Sequence, residues 1–201
     1  MDTIVLTGAS SGLGESLSYK LSSLGYKLVL AARSEKKLIK ISENIKKRGG
    51  ESIVVPTDVS NPDDINNLKY ESLKYGNISI LINNAGFGKF TKIEELSLQD
   101  WDNHLNINLR SAFLLSKAFI PSMKKLNKGS LIFINSVAGK KGYSNSSAYV
   151  ASKFGMKGLA DSLREELREN NIKVISIHPG ATNTPFWDSL NVDFPREEML
   201  D

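Results

Sequence analysis

Six short apolar runs punctuate the chain: TIVLT at 3–7, KLVLA at 27–31, SIVV at 52–55, ISILI at 78–82, SLIFI at 130–134 and KVISI at 173–177. Continuous apolar runs of this length, separated by longer segments, indicate strands covered on both faces. The intervening segments carry helical spacing. Leu13, Leu17, Leu21 and Leu24 form one stripe that stops at Gly25, and Leu38, Ile41 and Ile45 form another between a capping Ser34 and Gly49. Asn61-Pro62, and Ser97 with Asp100, mark two more helix starts. The recurring strand–helix order predicts an α/β protein: one domain over residues 1–201 with a doubly wound parallel sheet. Right-handed crossovers then gather the loops after each strand along one sheet edge, where ligands of such folds bind.

Composition narrows the chemistry. The chain has no Cys, which excludes thiolate metal sites and cysteine nucleophiles, and its two His residues, His104 and His178, stand far apart, so no metal site is expected. The formal net charge is +4, but the basic runs Lys46-Lys47-Arg48, Lys124-Lys125 and Lys140-Lys141 lack interleaved aromatics and read as solvated surface rather than a nucleic-acid face. No basic leader opens the sequence and no apolar run approaches the ~18 residues of a membrane span. A cytoplasmic protein without a membrane partner is the expectation.

Directly after the first run comes Thr7-Gly8-Ala9-Ser10-Ser11-Gly12-Leu13-Gly14, a glycine-rich turn opening a helix. Gly8 permits the turn, Gly12 permits close approach to a pyrophosphate and Gly14 allows tight helix packing. Free N–H groups around Ser10, Ser11, Gly12 and Leu13 can hold phosphate oxygens. A tight turn without ligand is the alternative. The second run ends Ala31-Ala32-Arg33-Ser34, with no acid for a ribose hydroxyl and with a guanidinium suited to a 2′-phosphate, so NADP(H) is the expected cofactor and Arg33 its reader. Arg33 as a solvated helix-entry residue remains the alternative. Asp58, with Val59, is a candidate adenine contact or a turn-forming residue.

In the stretch SAYVASKFG, Tyr149 and Lys153 are four residues apart and share a helix face. An ammonium at about 4 Å in an effective dielectric near 20 favours phenolate by at most roughly 4 kcal/mol, so the lysine is expected to lower the phenol pKa toward neutrality. Alone, the pair could equally be a surface phenol with a snorkelling lysine.

In order along the chain, Thr7 to Gly14, Asn83-Asn84-Ala85-Gly86, Asn108 in Asn106-Ile107-Asn108-Leu109, Ser136, Tyr149 with Lys153, and Pro179-Gly180 with Thr184 resemble the motifs of the classical short-chain dehydrogenase/reductase family. The resemblance implies a Rossmann fold and a hydride transfer between NADP(H) and a carbonyl or alcohol. It implies Tyr149 as proton donor and acceptor, Lys153 on the phenol and the nicotinamide ribose, Ser136 on the substrate oxygen and Asn108 on a water chain. It also implies a cofactor cleft shaped by Asn84, Ala85 and Gly86, with Pro179, Gly180, Thr182 and Thr184 at the nicotinamide. Taken alone, Ser136 could be an ordinary strand-terminal hydroxyl and Asn108 a buried residue bonding backbone.

The family usually carries a substrate lid after the nicotinamide contact, here near 182–198, and Phe186, Trp187, Leu190 and Phe194 suggest an apolar substrate face. The helical segments Ser111 to Met123 and Phe154 to Leu167 carry more apolar surface than one core stripe needs, and with the resemblance imply a homo-oligomer. Family members commonly continue into a further helix and a last strand; without them KVISI is expected near a sheet edge. A carbonyl or 3-oxoacyl reductase is the leading reading. A non-catalytic NADP(H)-binding sensor is the alternative, opposed by the presence of Ser136, Tyr149 and Lys153.

Overall fold

The six apolar runs become six parallel strands: β1 (Thr3–Thr7), β2 (Lys27–Ala32), β3 (Ser52–Pro56), β4 (Ile78–Asn83), β5 (Gly129–Ile134) and β6 (Ile172–Ile177). The computed structural model describes residues 2–190 and 195–200. The sheet order is β3-β2-β1-β4-β5-β6. The chain winds outward from β1 to β3, then returns to the other side of β1 at β4, which leaves a crevice at the strand ends where the direction reverses.

Helices cover both faces. Helices α1 (Gly12–Ser23) and α2 (Glu35–Lys47) cover one, burying Leu38, Ile41 and Ile45 against Ile4, Leu6, Leu28 and Leu30. On the other face lie α3 (Pro62–Tyr75), α5 (Ser111–Leu126) and α6 (Ser147–Glu166), packed around Val5, Leu81, Leu131 and Phe133. Between β4 and α5 come α4 (Leu98–His104) and a π-helical segment, Leu105–Arg110. The expected caps form: Asn61 accepts from the Asp63 N–H and Ser97 from the Asp100 N–H, whereas Ser34 stands at the start of α2 without a side-chain cap bond.

The leucine stripe expected on α1 faces the core in part, through the partly buried Leu17 and Leu21. Leu24 is 62% exposed, and the fully buried positions of α1 are Gly14 and Ser18. The helix approaches the glycine turn too closely for large side chains, and Ser18 Oγ donates back to Gly14 O at 2.7 Å. Strand β6 forms one edge of the sheet, with Ile175 and Ile177 exposed on the face that α1 and α2 cover elsewhere. Phe113 of α5 and Phe154 of α6 also remain exposed. No described helix is long and apolar enough to cross a membrane.

Candidate active site

A cavity of about 1400 Å³ runs along the C-terminal ends of the strands. It is larger than the ~300–1000 Å³ of an ordinary small-molecule pocket, with room for a dinucleotide and a second reactant. Gly8, Ser10, Ser11, Gly12, Leu13, Gly14, Arg33, Asp58, Val59, Asn84, Ala85, Gly86, Ser136, Tyr149, Lys153, Pro179, Gly180, Thr182 and Thr184 all line it. Of the catalytic and cofactor-binding candidates, Asn108 lies outside the lining.

At one end the turn after β1 takes its shape from two backbone requirements. Gly8 has φ +65° and Gly12 φ +54°, the left-handed region where a Cβ is strained. Gly14 answers a packing need: a Cβ there would run into the Gly8 carbonyl oxygen and approach Asn84 Nδ2 to 2.7 Å. Asn84 locks the turn to β4, its amide donating to Thr7 O at 2.9 Å and to Gly8 O at 3.2 Å. Ser11, at the α1 N-cap, makes no side-chain cap bond, so the first N–H groups of α1 face the cavity uncapped. That donor set fits a pyrophosphate.

Arg33 lies exposed at the cavity wall after β2, joined by Lys37 one turn along α2. Two cations over the same wall suit a second phosphate. Asp58 makes an Asx turn, accepting from the Ser60 N–H at 2.9 Å and hydroxyl at 2.7 Å. Desolvation pushes its carboxyl up, but the Ser60 bonds and the Arg33 charge outweigh that and hold it below its usual value.

At the other end Ser136, Tyr149 and Lys153 converge. Ser136 follows β5 and its Oγ accepts from the Ala138 N–H at 3.1 Å; it lines the same cavity as Tyr149, whose phenol its hydroxyl pulls toward a lower pKa. Lys153 is 4% exposed, its Nζ donates to Ile134 O at 3.1 Å and lies 5.6 Å from the Tyr149 ring centroid. Desolvation lowers its pKa to about 8. The expected lowering of the phenol by the lysine is reversed: burial pushes the Tyr149 phenol up, and the Ser136 hydroxyl opposes this only in part. The ammonium sits over the ring and is itself desolvated, so burial dominates.

Asn108, in the π-helical segment, is fully buried. Its Oδ1 accepts from the Phe87 N–H at 2.7 Å, and its Nδ2 donates to Phe87 O and to Ser152 Oγ, both at 2.9 Å. It therefore ties the loop after β4 to the turn of α6 that carries Lys153.

Rings close around the phenol. Phe90 is 5.5 Å and Phe186 6.0 Å from Tyr149 between centroids, and Trp187 is 5.8 Å from Phe186. Phe186 seats against Gly88, where a Cβ would come within 2.5 Å of the ring. Leu190, expected on the substrate face, is instead buried and outside the cavity lining, at the C-cap of the short helical turn Pro185–Ser189, where its N–H donates to Trp187 O. Phe194 lies outside the described residues. The segment returns at Leu200, whose N–H donates to Ala181 O at 2.9 Å, and Arg196 bonds Asn183 Oδ1 at 2.9 Å and pairs with Asp188.

Sequence reasoning missed Lys37, Phe87, Phe90 and Tyr143. Lys37 was within reach, since it stands in the first turn of the helix whose start Ser34 marks directly after Arg33. The loop aromatics carry no periodic signal. Among the described residues no cluster of His, Cys, Asp and Glu could hold a metal ion.

A parallel Rossmann sheet with a glycine turn at one end of its crevice and a Ser–Tyr–Lys group at the other defines a class of nucleotide-dependent oxidoreductase. The family model for short chain dehydrogenases matches residues 2–194, and the chain belongs to the short-chain dehydrogenase/reductase family. The chain is 32% identical over 205 residues to a sepiapterin reductase of Chlorobaculum tepidum, covering 98% of this chain and 84% of that protein. It is 37% identical to a metagenomic short-chain oxidoreductase solved in complex with NADP, with a TM-score of 0.86 over 90% of this chain and 84% of that one. An alcohol dehydrogenase of Thermococcus sibiricus, complexed with 5-hydroxy-NADP, superposes with a TM-score of 0.91 at 29% identity over 98% of this chain and 83% of that one.

Proposed function

We propose that this oxidoreductase is an NADP(H)-dependent reductase of neutral, apolar carbonyl compounds, acting in reverse as an alcohol dehydrogenase. The observation that carries the reading is the convergence of Ser136, Tyr149 and Lys153 at the aromatic end of a cavity whose other end carries Arg33 and Lys37. The nicotinamide, when bound, supplies the hydride to the carbonyl carbon or takes it from the alcohol.

The chain's own groups handle the oxygen and its proton. Ser136 Oγ holds the substrate oxygen beside the phenol, and Tyr149 gives its proton to that oxygen in reduction and takes it back in oxidation. A raised phenol pKa suits the donor role, because the proton is in place at neutral pH. The Lys153 ammonium opposes the cost of the phenolate left behind, at a depth where a charge is poorly screened. Among the described residues it makes one hydrogen bond, to Ile134 O, which leaves two donors for the cavity side. Asn108 positions Phe87 and the Lys153 turn from behind.

Two features support the cofactor and substrate assignments. Arg33 and Lys37 offer charge-assisted bonds to a 2′-phosphate, and NADP-type ligands occupy two related structures. Among the described lining residues the only carboxylate, Asp58, stands at the Arg33 end, and rings surround the phenol. A charged substrate would find no partner there except Lys153. Exposed Phe113 and Phe154 on α5 and α6 support association between copies through these helices.

The test is a fluorescence titration with NADPH and with NADH, followed by loss of nicotinamide absorbance with neutral aryl and alkyl ketones, 3-oxoacyl thioesters and carboxylated ketones. Tighter NADPH binding and turnover of the neutral ketones are expected. Tight binding without turnover of any carbonyl compound would instead favour a nucleotide-binding regulator.

A further inference from the structure

Ser136 is held by more than its own turn. Its backbone is extended, φ −166° and ψ 159°, at the start of the short helical turn Val137–Gly139. On either side of it the β5 and β6 chains go on pairing past their strand ends: the Asn135 N–H donates to Ile177 O at 2.8 Å and the Val137 N–H to Pro179 O at 3.0 Å. Pro179 has no N–H to return. The residue before it supplies a donor from its side chain instead. His178 Nδ1 lies 2.8 Å from the Ser136 carbonyl oxygen, which places the hydrogen on Nδ1, and Nε2 lies 3.0 Å from Ser176 Oγ. His178 is half-buried and outside the cavity lining, so it reaches the reacting atoms only through Ser136.

We propose that His178 is a positioning residue: bonded to Ser176 on one side and to the Ser136 carbonyl on the other, it holds the serine in the extended conformation that keeps its hydroxyl in the cavity it shares with Tyr149. The proposal rests on the reading of Ser136 as the group that holds the substrate oxygen. An imidazole with one nitrogen bonded to a residue of β6 and the other to the turn after β5 is a rigid strut, and a reacting group displaced by about 1 Å can lose 10²-fold in rate. Losing the Nδ1 donor also leaves the Ser136 carbonyl with the Gly139 N–H, at 2.9 Å, as its remaining partner, so the turn can relax toward that side.

The test compares His178→Leu, His178→Asn and His178→Gln, each with and without Ser136→Ala. Asn keeps a donor where Nδ1 stands; Gln sets its amide near Nε2 and keeps only the Ser176 side. Leu and Gln are expected to lower kcat 10- to 100-fold with NADPH affinity unchanged, and Asn to restore it to within a few fold. In the Ser136→Ala background all three substitutions are expected to add nothing, because the group they position is gone. A full-strength loss in that background, wild-type turnover in Gln, or failure of Asn to restore activity would overturn the proposal. Gln and Asn keep the comparison decisive should Leu fail to fold.

A readout without turnover separates this proposal from the reading beneath it. The Ser136 hydroxyl opposes the rise of the Tyr149 phenol, so its withdrawal should move that phenol's titration upward, read by ultraviolet difference against Tyr149→Phe. His178→Gln and Ser136→Ala are expected to give the same upward shift, and an unmoved titration in His178→Gln overturns the positioning role. If Ser136→Ala keeps full turnover, the substrate-oxygen reading fails, while the phenol titration still decides whether His178 sets the serine.

Discussion

The Lys153 ammonium sits 5.6 Å from the centroid of the Tyr149 ring, one turn along the same helix, and is anchored to the carbonyl of Ile134. Both groups are desolvated, and burial moves them in opposite directions: the phenol up, the ammonium down to about 8. Each is thereby held closer to its neutral form, and the pair is protonated together only on the acid side of the lysine value.

The pH dependence of carbonyl reduction follows from this. On the proposed mechanism reduction needs a protonated phenol and a charged lysine. The raised phenol keeps its proton throughout, so the lysine sets the limit: kcat/KM is expected to be level below about pH 8 and to fall as pH rises through it. Lys153→Met should lower the rate and remove that inflection. A pH profile that rises through this region would contradict the assignment.

On the proposed reading Arg33 and Lys37 divide the recognition of the 2′-phosphate. A hydrogen bond to a charged group is worth about 1.5–3 kcal/mol, so Lys37→Ala is expected to weaken NADPH about 10- to 100-fold and leave NADH unchanged. Arg33→Asp should reverse the preference. Paired fluorescence titrations read both.

Two glycines should respond oppositely to the same substitution. Gly14→Ala drives a methyl group into the Gly8 carbonyl and should cost about 2–3 kcal/mol, several degrees in Tm, with loss of NADPH binding. Gly158→Ala, in the middle of α6 with open space around it, should stabilise by about 0.5–1 kcal/mol. Thermal unfolding of the two variants distinguishes packing from helix propensity.

His104 provides an acid-side stability change. Its Nε2 accepts from the Lys89 N–H at 3.0 Å and its Nδ1 faces Asp100 O at 2.6 Å. Desolvation holds its pKa below the usual 6.5. The unfolded chain therefore binds a proton that the folded one refuses, and stability should fall as pH drops below about 6.5. His104→Gln can offer an amide oxygen to Lys89 without titrating. Urea unfolding midpoints across this range should fall less steeply in that variant.

What could be read without the structure followed burial and spacing. The strands were legible because a parallel sheet covered on both faces leaves uninterrupted apolar runs, and Tyr149 with Lys153 because helical spacing places them on one face. Helix α1 was legible only in part, since its closest packing runs through Gly14 and Ser18, which leave no hydrophobic signature, while Leu24 extends the apolar stripe yet stays exposed. The direction of the phenol shift depended on how deeply α6 sits against Ile134, and Phe90 reaches Tyr149 through a loop whose path no periodicity encodes. Asn108 could be found by its motif, but its bonds to Phe87 and Ser152 exist only once the loop after β4 is folded over the π-helical segment.

The central claim is that the Tyr149 hydroxyl moves the proton. Turnover of a neutral ketone by Tyr149→Phe, measured beside its NADPH dissociation constant, tests it most directly. A general acid contributes about 10²–10⁴-fold, so turnover should fall by that factor while NADPH affinity stays within a few fold. Turnover equal to that of the unaltered protein would contradict the account.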